Sequence, residues 1–290
     1  MTKLIFGCGY LGRRVARRWL DDGAEVCAVT RSADRAALLA ADGLRTIVAD
    51  INDPRMIAEL PAAETVLVAV GYDRAVGRSI HDVYVGGLRT ILGALPAGIG
   101  RLIYISSTGV YGQGDDEWVD EQSPCEPTRE GGRAVLDAEE LLRAHALGDR
   151  SIVLRMAGLY GPGRIPRRDD IAAGHRIAAP AGGYLNLIHV DDAAAVVLLA
   201  EQRAELPSTY IVSDGRPVLR WEYFDALAQL LDAPSPKFST APDDTPAAQR
   251  AASSKRVRNR RLIEELGATL KYPTCAKGLA AALAEEDGTG

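Results

Sequence analysis

The chain has 290 residues, 47% hydrophobic and 25% charged, with a formal net charge of −5. That length can bury a full core, and the acidic balance argues against a general nucleic-acid binder. Four scattered cysteines (Cys8, Cys27, Cys125, Cys275) have no metal-type spacing, so no metal site is expected, and the longest apolar runs, Val66–Val70 and Ala193–Ala200, fall far short of a membrane span.

The first strand is expected at Lys3–Phe6, close enough to residue 1 that no signal peptide is expected and a reducing cytoplasm is the natural compartment. It runs straight into Gly7-Cys8-Gly9-Tyr10-Leu11-Gly12, a GxGxxG turn, and then a helix over Arg13–Asp21. Each glycine has its own task there. Gly7 permits the tight turn, Gly9 lets backbone approach a pyrophosphate, and Gly12 allows close helix packing. Tyr10 and Leu11 open the helix, whose free N–H groups suit phosphate. A lone GxGxxG says little; this one follows a strand and precedes a helix, as dinucleotide binding requires.

Strands at Glu25–Thr30, Leu44–Ala49, Thr65–Val70, Arg101–Ser106, Ser151–Arg155 and Tyr184–His189 alternate with helices at Ala33–Ala41, Pro54–Leu60, Ile80–Leu95 and Arg133–Ala146. Apolar strands alternating with helices predict a doubly wound parallel sheet of the α/β class. The second strand ends at Thr30-Arg31, and positions 28 to 31 hold no carboxylate. An NAD site usually places Asp or Glu there for the ribose hydroxyls, whereas Arg suits a 2′-phosphate. The expected cofactor is therefore NADP, with NAD as the second choice; a solvated loop charge is the plainer alternative for Arg31. Asp50-Ile51 follow the third strand, and Val70-Gly71 end the fourth. Val70-Gly71 belong to the expected cofactor site.

Past Arg155 the pattern turns irregular, with loop signals at Gly161-Pro162-Gly163 and Ala179–Gly183. Asp191-Asp192 read as the cap of a helix over Ala193–Gln202. Pro234–Pro246 reads as an exposed connection, before helices at Arg260–Leu266 and Ala276–Ala284. The expected organisation is a Rossmann-type dinucleotide domain over 1–158 and 184–206. A small C-terminal substrate-binding domain would take 159–183 and 207–290.

Five segments together resemble the extended short-chain dehydrogenase/reductases: Gly7–Gly12, Asp50, Ser106–Gly112 (SSTGVYG), Arg155–Gly163 (RMAGLYGPG) and Asn186–Ala193 (NLIHVDDA). Ser254–Asn259 resembles a basic segment of that family, and the details are closest to its NAD-dependent epimerase/dehydratase subgroup. Asp50-Ile51 resemble the family's adenine-contacting pair and so join the expected cofactor site; the plainer alternative for Asp50 is a helix cap before Pro54. The resemblance implies a Tyr acting as acid/base, a Lys four residues later lowering its pKa, and a Ser or Thr orienting the substrate oxygen. Ser107 matches the Ser/Thr position. Gly131 and Val135 fall where the Tyr and Lys belong, and no tyrosine occurs between Tyr111 and Tyr160. Tyr84 stands where many relatives have Asn.

The expected catalytic residues are thus Ser107, at a strand end where doubly wound sheets place ligands, and Tyr111, the nearest remaining phenol. Each has a plainer alternative: Ser107 as a backbone-capping hydroxyl, Tyr111 as a structural residue. Arg133 cannot serve as an acid/base, and His189 reads better as a structural histidine. Arg164, Arg167 and Arg168 suit either a phosphate-bearing ligand or solvent. The expected function is an NADP-linked oxidoreductase, or an epimerase/dehydratase-like enzyme, with a non-standard proton relay. Its substrate would be small, a carbonyl compound or a nucleotide sugar. The alternative is a catalytically silent NADP-binding redox sensor. The expected partners are that substrate and a second copy of the chain, docked through Ile80–Leu95 and Arg133–Ala146, with neither nucleic acid nor membrane.

Overall fold

The computed structural model describes residues 1–57, 60–96, 98–239 and 254–288. Contacts divide the chain into two compact units. The first comprises Met1–Val110, Glu130–Arg155 and Ala194–Tyr210; the second comprises Tyr111–Arg129, Met156–Ala193 and Ile211–Gly290.

The first unit is organised by a sheet of seven strands among the described residues. They are β1 (Thr2–Phe6), β2 (Glu25–Thr30), β3 (Arg45–Val48), β4 (Thr65–Val68), β5 (Arg101–Ser107), β7 (Ser151–Met156) and β12 (Ser208–Val212), in the order β12-β7-β5-β4-β1-β2-β3. The β3-β2, β2-β1, β1-β4 and β4-β5 pairs are parallel. This is the Rossmann-like α/β fold. Helices α1 (Gly12–Asp21), α2 (Ala33–Ala41), α3 (Gly87–Ala94) and α4 (Glu130–Ala144) fall between the strands in sequence. Leu4, Phe6, Val66, Val68, Leu102 and Tyr104 of the sheet pack with Leu88 and Ile91 of α3 and Ala138 and Leu142 of α4 in one core. β1 pairs with both β2 and β4, so the chain reverses direction across the sheet at β1, where such sheets receive ligands.

Two expected helices differ from the observed elements. Pro54–Leu60 forms only a 3-10 turn over Pro54–Met56, which Asp53 caps by accepting from the Arg55 N–H; residues 58 and 59 lie outside the described residues. Ile80–Leu95 is not one α-helix: Asp82–Gly86 is a π-helical turn running into α3. Such turns break the 3.6-residue period without any compositional mark.

The second unit supplies the short parallel pairs β6 (Glu117–Val119) with β15 (Lys255–Val257), β8 (Gly158–Tyr160) with β11 (Leu187–His189), and β9 (Arg176–Ala178) with β14 (Lys237–Ser239). β10 (Tyr184–Leu185) pairs antiparallel with β13 (Val218–Leu219). The expected strand Tyr184–His189 is therefore two strands in different sheets. Asn186 breaks it because its side chain is engaged by β15, donating to the Lys255 carbonyl and accepting from the Val257 N–H, each at 2.9 Å. Helices α5 (Arg168–Ala172), α7 (Arg220–Leu230), α8 (Arg260–Leu266) and α9 (Cys275–Gly288) complete the unit, while α6 (Val190–Arg203) runs from one unit into the other. The core joins Tyr160, Ile177 and Leu187 to Tyr223 and Leu227 of α7 and Leu279 of α9. Of the expected connection Pro234–Pro246, residues 237–239 form β14 and 240–246 lie outside the described residues.

Asp191 and Asp192 lie inside the first turn of α6 rather than capping it. Asp192 is spent elsewhere: its two carboxylate oxygens accept from the N–H groups of Lys271 at 2.8 Å and Tyr272 at 2.9 Å. His189 is 1% exposed, accepts the Asp191 N–H at its Nδ1, and lies edge-on to Tyr160 and against Tyr272. Arg167 pairs with Asp170 at 2.9 Å and Arg168 with Glu286 at 3.2 Å.

Candidate functional site

The first five strands are parallel, so their carboxyl ends lie on one edge of the sheet. That edge carries Gly7–Gly12 after β1, Arg31 after β2, Asp50-Ile51 after β3, Val70-Gly71 after β4 and Ser107 at the end of β5.

The glycines of the first turn differ in what they demand. Gly7 has φ +86°, and a Cβ there would overlap the Ala69 carbonyl. A Cβ on Gly12 would lie 2.6 Å from the Gly7 carbonyl oxygen. Both positions are closed by the protein's own backbone. Gly9 is different: a Cβ there would meet nothing nearer than Arg35 Nη2, at 3.9 Å. A glycine facing open space beside two that the fold requires matches a cradle where backbone must meet a ligand. The helix behind it suits an anion, because α1 begins with no side-chain cap and no acidic residue in its first turn. Leu11 is buried, and Tyr10 stacks on the Arg14 guanidinium at 4.5 Å, which fixes the start of the helix. The residues present thus fit a dinucleotide. Cys8 within the turn is inert, since burial pushes its thiol up to about 11.

Arg31 is half-exposed and pairs with Asp73 at 3.0 Å. Asp50 accepts from the Asn52 backbone N–H at 2.9 Å and pairs with Arg78 at 3.2 Å. Its partial burial raises its pKa, but the Asn52 hydrogen bonds and the nearby Arg78 and Arg31 outweigh this and hold it below the usual carboxylate value. Ile51 and Val70 meet in a small apolar pocket with Val83, Tyr84, Leu88 and Tyr104. Burial raises the pKa of the Tyr84 phenol.

Arg35 is the residue that the sequence reading missed. It leans over the glycine turn, its Nη2 donating to the Cys8 carbonyl at 3.5 Å. Its signal was its spacing, four residues after Arg31 and one turn into a helix capped by Ser32.

Ser107 is partly exposed, and its Oγ accepts the Gly109 N–H at 3.0 Å, so the hydroxyl also holds the turn after β5. Tyr111 lies in the second unit and is 1% exposed; its carbonyl accepts from Lys255 Nζ at 2.7 Å. Burial and then Arg129 lower the pKa of Lys255 to about 8. The helix α4 contains neither tyrosine nor lysine, and Gly131 and Val135 occupy its first turns. Among the described residues no group of three His, Cys, Asp or Glu side chains is placed to hold a metal ion, and no helix is long and apolar enough to cross a membrane.

The sequence model of the NAD dependent epimerase/dehydratase family matches residues 4–213, a stretch that runs from within β1 to just past β12 of the large sheet. The chain belongs to that family. One relative is protein YeeZ of Escherichia coli strain K12, 32% identical over 182 residues, covering 62% of this chain and 61% of YeeZ. The chain thus spans about three-fifths of the length of that curated relative. A structure from Methylobacillus flagellatus, provisionally described as an NAD-dependent epimerase/dehydratase, is 32% identical with a TM-score of 0.78, covering 99% of this chain and 98% of that one. A conserved protein of unknown function from Silicibacter pomeroyi is 31% identical with a TM-score of 0.82, covering 98% of each chain. Neither of these two solved relatives is described with a substrate.

Proposed function

We propose that the protein is an NADP-linked oxidoreductase or epimerase-like enzyme that acts on a carbonyl compound or nucleotide sugar through a non-standard proton relay. The observation that carries this reading is Gly9, a glycine facing open space in a turn whose other two glycines the backbone demands. In this reading the N–H groups at the start of α1 hold the pyrophosphate. Arg31 and Arg35 hold the 2′-phosphate, Asp50 and Ile51 flank the adenine, and Val70-Gly71 line the path along the strand ends. The bound cofactor would supply hydride exchange. Ser107 would orient the substrate oxygen, and Tyr111 is the phenol to be tested as proton donor. The same reading takes the protein as a cytoplasmic homodimer through α3 and α4, which sedimentation would check.

Calorimetry tests the cofactor. NADPH should bind more tightly than NADH, and Arg31→Ala should cost about 1.5–3 kcal/mol for NADPH, the scale of a charged hydrogen bond. Equal affinities in the unmodified protein would overturn the preference. A second reading, a protein that holds NADP without turnover, is favoured by the composition of α4. It predicts tight NADPH binding and no nicotinamide oxidation with any carbonyl or sugar-nucleotide substrate.

A further inference from the structure

The end of β2 and the loop after β4 are tied together by one ion pair. Arg31 Nη2 lies 3.0 Å from Asp73 Oδ2, and the two side chains are 48% and 53% exposed. Asp73 is held for this contact. Its other oxygen, Oδ1, accepts the Ala75 N–H at 3.0 Å and caps the 3-10 turn Arg74–Val76. One carboxylate oxygen is thus fixed by its own backbone, and the other is presented to the guanidinium. The same loop is tied a second time by Arg78 to Asp50, at 3.2 Å. The ground around these pairs is open: a Cβ on Gly71, two residues before Asp73, would meet nothing within 4 Å.

Resting on the NADP reading above, we propose that Asp73 is a specificity-determining residue. Its carboxylate occupies the Arg31 Nη2 donor that a ribose 2′-phosphate would take, and the exchange of Asp73 for phosphate sets the discrimination between NADPH and NADH. Carboxylate and phosphate present the same kind of acceptor to guanidinium N–H groups. They cannot share one arginine comfortably, because a phosphate carrying nearly two negative charges repels a carboxylate a few ångströms away. An exposed pair contributes little to stability, so giving it up leaves the fold intact. NADH carries no 2′-phosphate and makes no such demand.

The test is calorimetry on the full chain at fixed ionic strength, with NADPH, NADH, 2′,5′-ADP and 5′-AMP as probes. Asp73→Asn keeps an oxygen to cap Ala75 and removes only the charge, and a thermal melt confirms that it folds. The expected result is a gain of about three- to fivefold for NADPH and 2′,5′-ADP, the scale of one exposed charge interaction. NADH and 5′-AMP should stay within about twofold, and the gain should vanish when Arg31→Ala is added. NADPH binding that is unchanged or weaker in Asp73→Asn overturns the proposal, as does an equal gain for NADH. If the unmodified protein binds neither dinucleotide, the cofactor reading falls and this proposal with it. If it binds them and Asp73→Asn alters neither, this proposal alone falls.

Discussion

Arg155 grips Glu139 with two N–H donors, Nε to Oε1 at 3.0 Å and Nη2 to Oε2 at 2.7 Å, and both side chains are buried. Ser106 Oγ donates to the same carboxylate. The network joins β5, β7 and α4 immediately beside Ser107, so the strand end that carries the candidate hydroxyl is locked from beneath. Removing one partner of a buried pair leaves a bare charge in the core, whereas replacing both with apolar groups can be neutral. Arg155→Met should therefore destabilise the protein by about 3–5 kcal/mol in urea unfolding. The double variant Arg155→Met with Glu139→Leu should recover most of that loss. A single variant as stable as the unmodified protein would show that the pair is not holding β5.

The glycine turn yields a contrast between folding and binding. Gly12→Ala puts a methyl 2.6 Å from the Gly7 carbonyl oxygen, so it should lower stability and binding together. Gly9→Val enters space that the protein leaves open, so its melting temperature should move little while NADPH affinity falls at least tenfold, the size of a single lost contact region. Undiminished binding by Gly9→Val would reduce the motif to a structural turn.

A pH dependence is built into the second unit. Burial raises the Asp214 carboxyl to about 7, with Asp192 adding to the rise while the Arg216 N–H and its charge oppose it. Tyr160 and Cys275 also sense this carboxylate. The folded state therefore keeps a proton that the unfolded chain has released by about pH 4. Stability should fall as pH rises from about 4 to about 7 and then level off, a loss on the order of 4 kcal/mol from this group. Urea titrations between pH 5 and 8 should show that slope, and Asp214→Asn should flatten it. An unchanged slope would mean that Asp214 titrates normally.

The first five strands and the cradle were legible because their signals are local: an apolar strand, three glycines and a helix start lie within Thr2–Asp21. Arg31 and Ser107 were placed correctly at strand ends for the same reason. What escaped depends on distant pairing. β6 and β15 are each three residues long and far apart in sequence, so neither has a pattern of its own. Asp192 looked like a cap because the sequence does not reveal that Lys271 and Tyr272 return to claim its carboxylate. Arg35 was hidden by an ordinary surface-helix composition, and its bearing on Cys8 emerges only when α2 is set beside the turn.

The chemistry turns on the start of α4. Gly131 lies inside a helix, so a side chain there needs no unusual backbone, and a Cβ would meet only Ile80 Cδ1, at 3.3 Å. Ile80 can give way by a few tenths of an ångström, so Gly131→Tyr should fold, helped by the better helix propensity of Tyr over Gly. With Val135→Lys it would restore a Tyr-xxx-Lys pair, the lysine lowering the phenol's pKa. If the unmodified protein is an enzyme with a rewired relay, nicotinamide absorbance should report turnover on a panel of aldehydes, ketones and sugar nucleotides. That turnover should drop about a hundredfold or more in Ser107→Ala, as expected for loss of an oxygen-orienting donor. Tyr111→Phe should show whether the buried phenol takes part. If the protein only holds NADP, it should bind NADPH and turn over nothing, and the Gly131→Tyr, Val135→Lys variant should be the one that gains activity. Turnover that survives Ser107→Ala intact would remove Ser107 from the chemistry and leave the strand-end hydroxyl with the task it already performs, accepting the Gly109 N–H.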